Sequence, residues 1–235
     1  MKELLHGVFA FALYITPLII VMLLLRRYTR VGNELFRKML HFLFLGAYIP
    51  LLRAFDNWWM LSGFALLIIV VFYPVLMLVE RVPMFTAFVN ERKHGEFKNS
   101  LILALGVMAV CVAVCWGLMG DKLLVLACIY AWGVGDGFAA LIGKTFGRHK
   151  WNFSLADKHK SVEGTLAMFL ASFASVLIIL LLRGAPGLLP SILISLTAAA
   201  ATAFVELCAK GGWDTLLCPL TAMVILLPLV HLFGG

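Results

Sequence analysis

Apolar runs about 20 residues long, separated by short polar breaks, organise this chain. They lie at 7–25, 39–52, 58–79, 100–118, 122–142, 162–182, 188–208 and 214–233. Such runs predict membrane-crossing helices, so the expected fold is all-α, a polytopic membrane helix bundle of eight transmembrane helices. The second run is short, and on length alone it reads equally well as re-entrant. The polar stretches long enough to do chemistry are 26–38, 80–99 and 143–161. No internal repeat and no low-complexity linker is visible, so 1–235 reads as a single integral membrane domain.

Composition agrees with the pattern. Hydrophobic residues make up 63% of the 235 residues and charged residues 13%, with a mean hydropathy of +1.03. A soluble domain is about half apolar and a quarter charged. Charge placement then decides the status of the second run. If all eight runs cross, one side collects Arg26, Arg27, Arg30, Arg37, Lys38, Arg81, Arg92, Lys93, Lys98, Lys144, Arg148, Lys150, Lys158, Lys160 and Lys210. The other side keeps only Lys2, Arg53, Lys122 and Arg183. Cation-rich loops stay in the cytoplasm, so eight spans with both termini non-cytoplasmic is the economical topology. It places all three long polar stretches on the cytoplasmic side.

The formal charge of +7 needs no nucleic-acid partner, because loop cations set topology and meet anionic headgroups. The first run ends in Arg26-Arg27 without an A-x-A site and reads as a span, not a cleavable signal. Cys111, Cys115, Cys128, Cys208 and Cys218 lack zinc-type spacing and read as packing residues. The mixed-charge segment 91–98 reads as a solvated interfacial face.

The chemistry concentrates in Ala131–Ala167. Asp136 lies inside an apolar run, and an ionisable group at membrane depth costs at least about 2.5 kcal/mol, which marks it as a functional candidate. Gly135, Ala139, Gly143 and Gly147 recur every four residues, as do Asp136, Ala140, Lys144 and Arg148. The first ridge alone is a helix-packing face; beside an acid and two cations it also suits a phosphate. Gly137 to Thr145 imitates a P-loop but has five residues between its glycines and follows no strand, so that reading fails. In Lys158–Thr165, Ser161 reads as an N-cap and Glu163 complements the helix dipole, while Lys158 and Lys160 converge on a helix start that favours phosphate. Glu206 and Asp214 flank Gly211-Gly212. Four helix ends thus each bring one acid to the same side. Arg37, Lys38 and His41 open the second span, where anchoring is the simplest account.

Taken in order, these pieces resemble the polyprenol kinase family of integral membrane lipid kinases, which includes dolichol kinase, phytol kinase and CTP-dependent diacylglycerol kinase. The matching pieces are Arg37-Lys38-x-x-His41, then Gly135-Asp136-x-x-Ala139-x-x-x-Gly143-x-x-x-Gly147-x-x-Lys150. Lys160-Ser161-Val162-Glu163-Gly164-Thr165 follows, and then Glu206 with Asp214-Thr215-Leu216 and Pro219-Leu220. Two departures bear on substrate subtype. Asp214-Thr215 stands where relatives commonly read Asp-Asn, and Lys158-His159-Lys160 stands where they often read Lys-Lys.

The resemblance implies transfer of the γ-phosphoryl of CTP, or another nucleoside triphosphate, to the hydroxyl of an isoprenoid or related lipid alcohol, with Mg²⁺ as cofactor. Phosphoryl transfer rests on positioning, charge neutralisation and a carboxylate that accepts the alcohol proton. On that reading Asp136 and Asp214 are catalytic, and Asp136, Glu163, Glu206 and Asp214 share the metal. Gly143, Lys144, Gly147, Arg148, Lys150, Lys160, Gly164 and Thr165, with Lys38 and His41, take the nucleotide phosphates. The alternatives are a phosphatidate cytidylyltransferase, whose C-terminal His-Gly-Gly and Asp-Arg signature is missing here, and a small transporter, which predicts acids nearer the midplane. The residues do not name the alcohol, and the choice of CTP rests on the resemblance alone.

Overall fold

The computed structural model describes residues 2–82, 95–152, 154–184 and 186–234. It is helical throughout, and among these residues the only β-bridge is an isolated antiparallel one between Lys150 and Ser161. Among the described residues, eight helical spans are long and apolar enough to cross a membrane. The chain falls into two compact units, Met1–Ala113 and Val114–Gly235.

The first unit holds α1 (Lys2–Tyr28), α2 (Asn33–Gly46), α3 (Tyr48–Ala54), α4 (Trp58–Val79) and α5 (Glu96–Cys111). The second span is longer than its apolar run suggests. Asn33–Ala54 makes 22 residues of helix, because the helix runs on through Arg37 and Lys38. Arg37 pairs with Glu34 one turn back at 2.6 Å, and Lys38 is buried. The interruption at Ala47 precedes Pro50, whose ring conflicts with the carbonyl four residues earlier and which offers no N–H. Ile15 and Met22 of α1 pack on Phe36, Leu40 and Leu43 of α2. Lys98 is tied to the buried Glu80 at 2.8 Å. Residues 91–94 of the mixed-charge segment lie outside the described residues.

The second unit holds α6 (Lys122–Phe146), α7 (Val162–Arg183), α8 (Leu188–Cys208) and α9 (Asp214–Gly234). It is entered from the α5 helix through a π-helical turn, Val112–Leu118. Asp121 caps α6 by accepting from the N–H groups of Leu123 and Leu124 and pairs with Arg183 at the end of α7, 2.5 Å away. Cys115 and Cys128 meet at 3.8 Å as buried thiols, and none of the five cysteines is in a disulfide.

The glycine ridge of α6 faces α7. A Cβ at Gly143 would lie 3.3 Å from Ser161 Oγ and 3.4 Å from Gly164 Cα. One at Gly164 would lie 3.0 Å from the Ala139 carbonyl. Gly135 is closed off in the same way by Met168 and Ser172, and Gly147 by Ser161 and the Gly143 carbonyl. Of the two readings open for this ridge, the structure displays the packing one. Small residues let the two backbones approach until side-chain volume is excluded.

Candidate active site

Three helices of the second unit each contribute one carboxylate to a single cluster. Asp136 comes from the body of α6, Glu206 from the last turn of α8 and Asp214 from the first residue of α9. One oxygen from each lies within 4.8 Å of the others. Glu206 is buried, and the two aspartates are half-buried. The turn between α8 and α9 brings Glu206 and Asp214 together because Gly211 and Gly212 take positive φ, 65° and 87°. That backbone region is strained for residues with a Cβ.

Lys160 is the cation of this cluster. It precedes α7, and its Nζ lies 2.6 Å from Glu206 Oε1 and also donates to the Glu206 carbonyl. Burial works against the Lys160 ammonium, but the Glu206 carboxylate, by charge and by hydrogen bond, then Asp214 and Asp136, raise its pKa above the ordinary lysine value. Lys160 therefore stays charged. Three carboxyl groups crowded beside one ammonium oppose one another's ionisation in a partly desolvated site, and a further cation would relieve that repulsion.

The donor set fits a hard divalent ion. All ligands are carboxylate oxygens, which suit Mg²⁺, Mn²⁺ or Ca²⁺ over softer metals. Two oxygens on one Mg²⁺ stand at most about 4.2 Å apart, so small rotamer adjustments suffice. Asp136, Glu206 and Asp214 would hold the ion.

Glu163, named with them from sequence, is not brought to this cluster. Its carboxylate accepts from the backbone N–H of Arg148 at 3.1 Å and of His149 at 3.2 Å, and meets His149 Nδ1 at 2.7 Å. Ser161 caps α7 as expected, accepting from Gly164 N at 3.1 Å. Thr165 accepts from Trp151 Nε1 at 3.0 Å and donates to the Ser161 carbonyl. Lys144, Arg148 and Lys150 are exposed at and beyond the end of α6, and Lys150 Nζ donates to the His159 carbonyl at 3.0 Å. Gly143, Gly147 and Gly164 lie in the helix contact. Lys38 and His41 belong to the first unit.

Sequence reasoning passed over a polar cavity of about 330 Å³, lined by Ser154, Ala156, Asp157, Lys158, His159 and Lys210. The loop before α7 is held to the end of α8 by Asp157 N donating to the Leu207 carbonyl at 3.0 Å. That contact brings Lys210, otherwise an unremarkable turn lysine, to the same cavity as Lys158. The available signal was its position midway between Glu206 and Asp214. His149 and Trp151 were also missed, because neither belongs to a recognisable spacing.

The chain is 30% identical over 220 residues to a phytol kinase of Synechocystis sp., an alignment that covers 91% of this chain and 87% of that protein. No family model and no solved structure matches it.

Proposed function

The chain belongs to the polyprenol kinase family of integral membrane lipid kinases, and on that premise we propose that it phosphorylates the hydroxyl of an isoprenoid alcohol such as phytol or dolichol. The donor is a nucleoside triphosphate, CTP by the family resemblance, and the products are the lipid monophosphate and the nucleoside diphosphate. The observation that carries this reading is the cluster of Asp136, Glu206 and Asp214 with Lys160 held against it.

In the proposed reaction the alcohol oxygen attacks the γ-phosphorus in line with the bond that joins it to the β-phosphate oxygen. That bond breaks, its electron pair leaves with the nucleoside diphosphate, and the alcohol proton passes to a carboxylate. Asp136 and Asp214 are the candidates for that base, since Glu206 is committed to Lys160. Asp136, Glu206 and Asp214 would hold a divalent ion, which would supply neutralisation of phosphate charge. Lys160, Lys144, Arg148 and Lys150 hold the triphosphate, which enters by the cavity bearing Lys158 and Lys210. The lipid tail lies among the apolar helices with its hydroxyl at the interface. In this reading the site faces the cytoplasm and both termini lie on the opposite side, which the excess of Lys and Arg in one set of loops supports.

The test is a transfer assay on the purified protein that crosses CTP and ATP with phytol, farnesol, dolichol and diacylglycerol. Formation of a lipid monophosphate with release of nucleoside diphosphate is expected. Release of pyrophosphate from CTP with phosphatidate as acceptor would replace this reading with a cytidylyltransferase.

A further inference from the structure

Two short segments flank the path from α6 to α7 and are laced together. Val162 N donates to the His149 carbonyl at 2.9 Å, and Lys150 and Ser161 form the antiparallel bridge. Lys150 Nζ closes on the His159 carbonyl, and the Trp151 indole on Thr165. Glu163 stands at the mouth of this clasp. It is the acceptor that gathers the two consecutive N–H groups of Arg148 and His149, together with the His149 ring. These N–H groups follow the C-cap Gly147, whose extended backbone (φ −68°, ψ 90°) carries the chain out of the helix, so they turn to Glu163 and not to the last carbonyls of α6. The clasp holds the residue that matters to the chemistry, because Lys160 lies within its second segment with its Nζ on Glu206.

We infer that Glu163 is a positioning residue and not a metal ligand: its carboxylate clamps the Arg148-His149 backbone to the start of α7, and so fixes Arg148, Lys150 and Lys160 as a preorganised triphosphate cradle. This deepens the proposed kinase reading and rests on it for the identity of the ligand. The two roles make opposite demands on the side chain. A metal ligand needs the carboxylate charge, and glutamine replaces it poorly. A clamp needs an acceptor for two N–H groups, which the glutamine carbonyl provides, while its amide can donate to a neutral His149 ring.

The experiment compares Glu163→Ala and Glu163→Gln in the full-length protein by steady-state kinetics with CTP as the varied substrate, and by the Mg²⁺ concentration giving half-maximal rate. The expected result is a rise in the KM for CTP of about tenfold or more in Glu163→Ala, of the size seen when supporting hydrogen bonds are removed. Glu163→Gln should recover most of that loss, and the Mg²⁺ requirement should not move in either variant. A loss of kcat with a raised Mg²⁺ requirement in Glu163→Gln would overturn the inference, as would wild-type kinetics in Glu163→Ala. Limited trypsin digestion reads the clasp without any turnover. Cleavage after Arg148, Lys150 or Lys158 should accelerate in Glu163→Ala and not in Glu163→Gln, and equal digestion of all three proteins would count against the clamp. Failure of wild-type protein to phosphorylate any alcohol would refute the kinase reading, while the digestion result would still judge the clamp.

Discussion

The two units differ in how their charges converge: the first holds the pairs Arg37 with Glu34 and Lys98 with Glu80, the second a cluster of three acids and a lysine. In α1, 6% of the apolar window is buried, and in α4, 17%; in α6 it is 56%. α1 and α4 therefore present mostly side chains suited to lipid, while half of the Asn33–Ala54 window is buried, and the cavity of the first unit, about 520 Å³, is lined chiefly by Ala10, Tyr14, Ile49 and Pro50 with His6 and Arg53. The second unit buries a glycine ridge between α6 and α7 and converges three acids and a lysine, and its cavity is lined by lysine, histidine and aspartate. Apolar surface costs nothing against lipid tails, whereas charges at membrane depth persist only where they meet one another or a ligand. The first unit buries Lys38 and Glu80 as well, but three acids on three helices meet only in the second among the described residues, so chemistry is expected there and the substitutions that follow test the contrast.

The largest effect is expected at the carboxylates. Asp136→Asn should lower phosphoryl transfer on the order of 10³-fold, the scale of losing preorganised charge at a reacting centre, with membrane insertion and yield retained. Radiolabelled phosphate transfer to extracted lipid measures it. An equal loss from His41→Gln in the first unit would erase the distinction between the units.

Next is the Lys160–Glu206 pair. Lys160→Met leaves a buried carboxylate without its cation, and breaking such a pair costs about 3 kcal/mol. A lowered unfolding midpoint in detergent is expected, with partial recovery in Lys160→Met/Glu206→Gln. A double variant less stable than Lys160→Met alone would show that the pair is not the source of the loss.

Smaller effects of opposite sign are expected at glycine. Gly164→Ala puts a methyl group 3.0 Å from the Ala139 carbonyl and 3.3 Å from Gly143 Cα, both backbone atoms, and should destabilise by about 1–3 kcal/mol. In the first unit, Gly106 of α5 has nothing within 4 Å of an added Cβ. Gly106→Ala should leave stability unchanged or raise it by up to about 1 kcal/mol through helix propensity. Thermal melts of the two variants side by side decide the matter, and equal destabilisation would remove the packing difference between these two positions.

The spans were legible because crossing a bilayer imposes length and hydrophobicity on contiguous residues, and the eight runs coincide with eight helical spans, the second built of α2 and α3 and the fourth of α5 and the π-helical turn. Their ends were less so. The start of α2 was misjudged because Arg37 and Lys38 interrupt the apolar run without interrupting the helix, and hydropathy does not register an ion pair one turn apart. Asp136, Glu206, Asp214 and Lys160 were each singled out as polar exceptions in apolar surroundings, and all four meet. Glu163 carried the same signal and stands elsewhere. Its identity and spacing are those of a ligand, but its partners are the His149 ring and two backbone N–H groups, and the latter leave no trace in residue type.

By itself, the sequence determined what depends on composition along the chain: helical spans, the positions of their charged ends, the cap at Ser161, and a family likeness spread over most of the length. Only the tertiary structure decided which of several equivalent acids share a centre, that the glycine ridge serves a neighbouring helix, and that Lys158 and Lys210 line one cavity. The reason is geometric. Hydropathy is a property summed over neighbours in sequence, whereas a site is a coincidence of side chains from separate helices, set by rotation, packing distance and loop path.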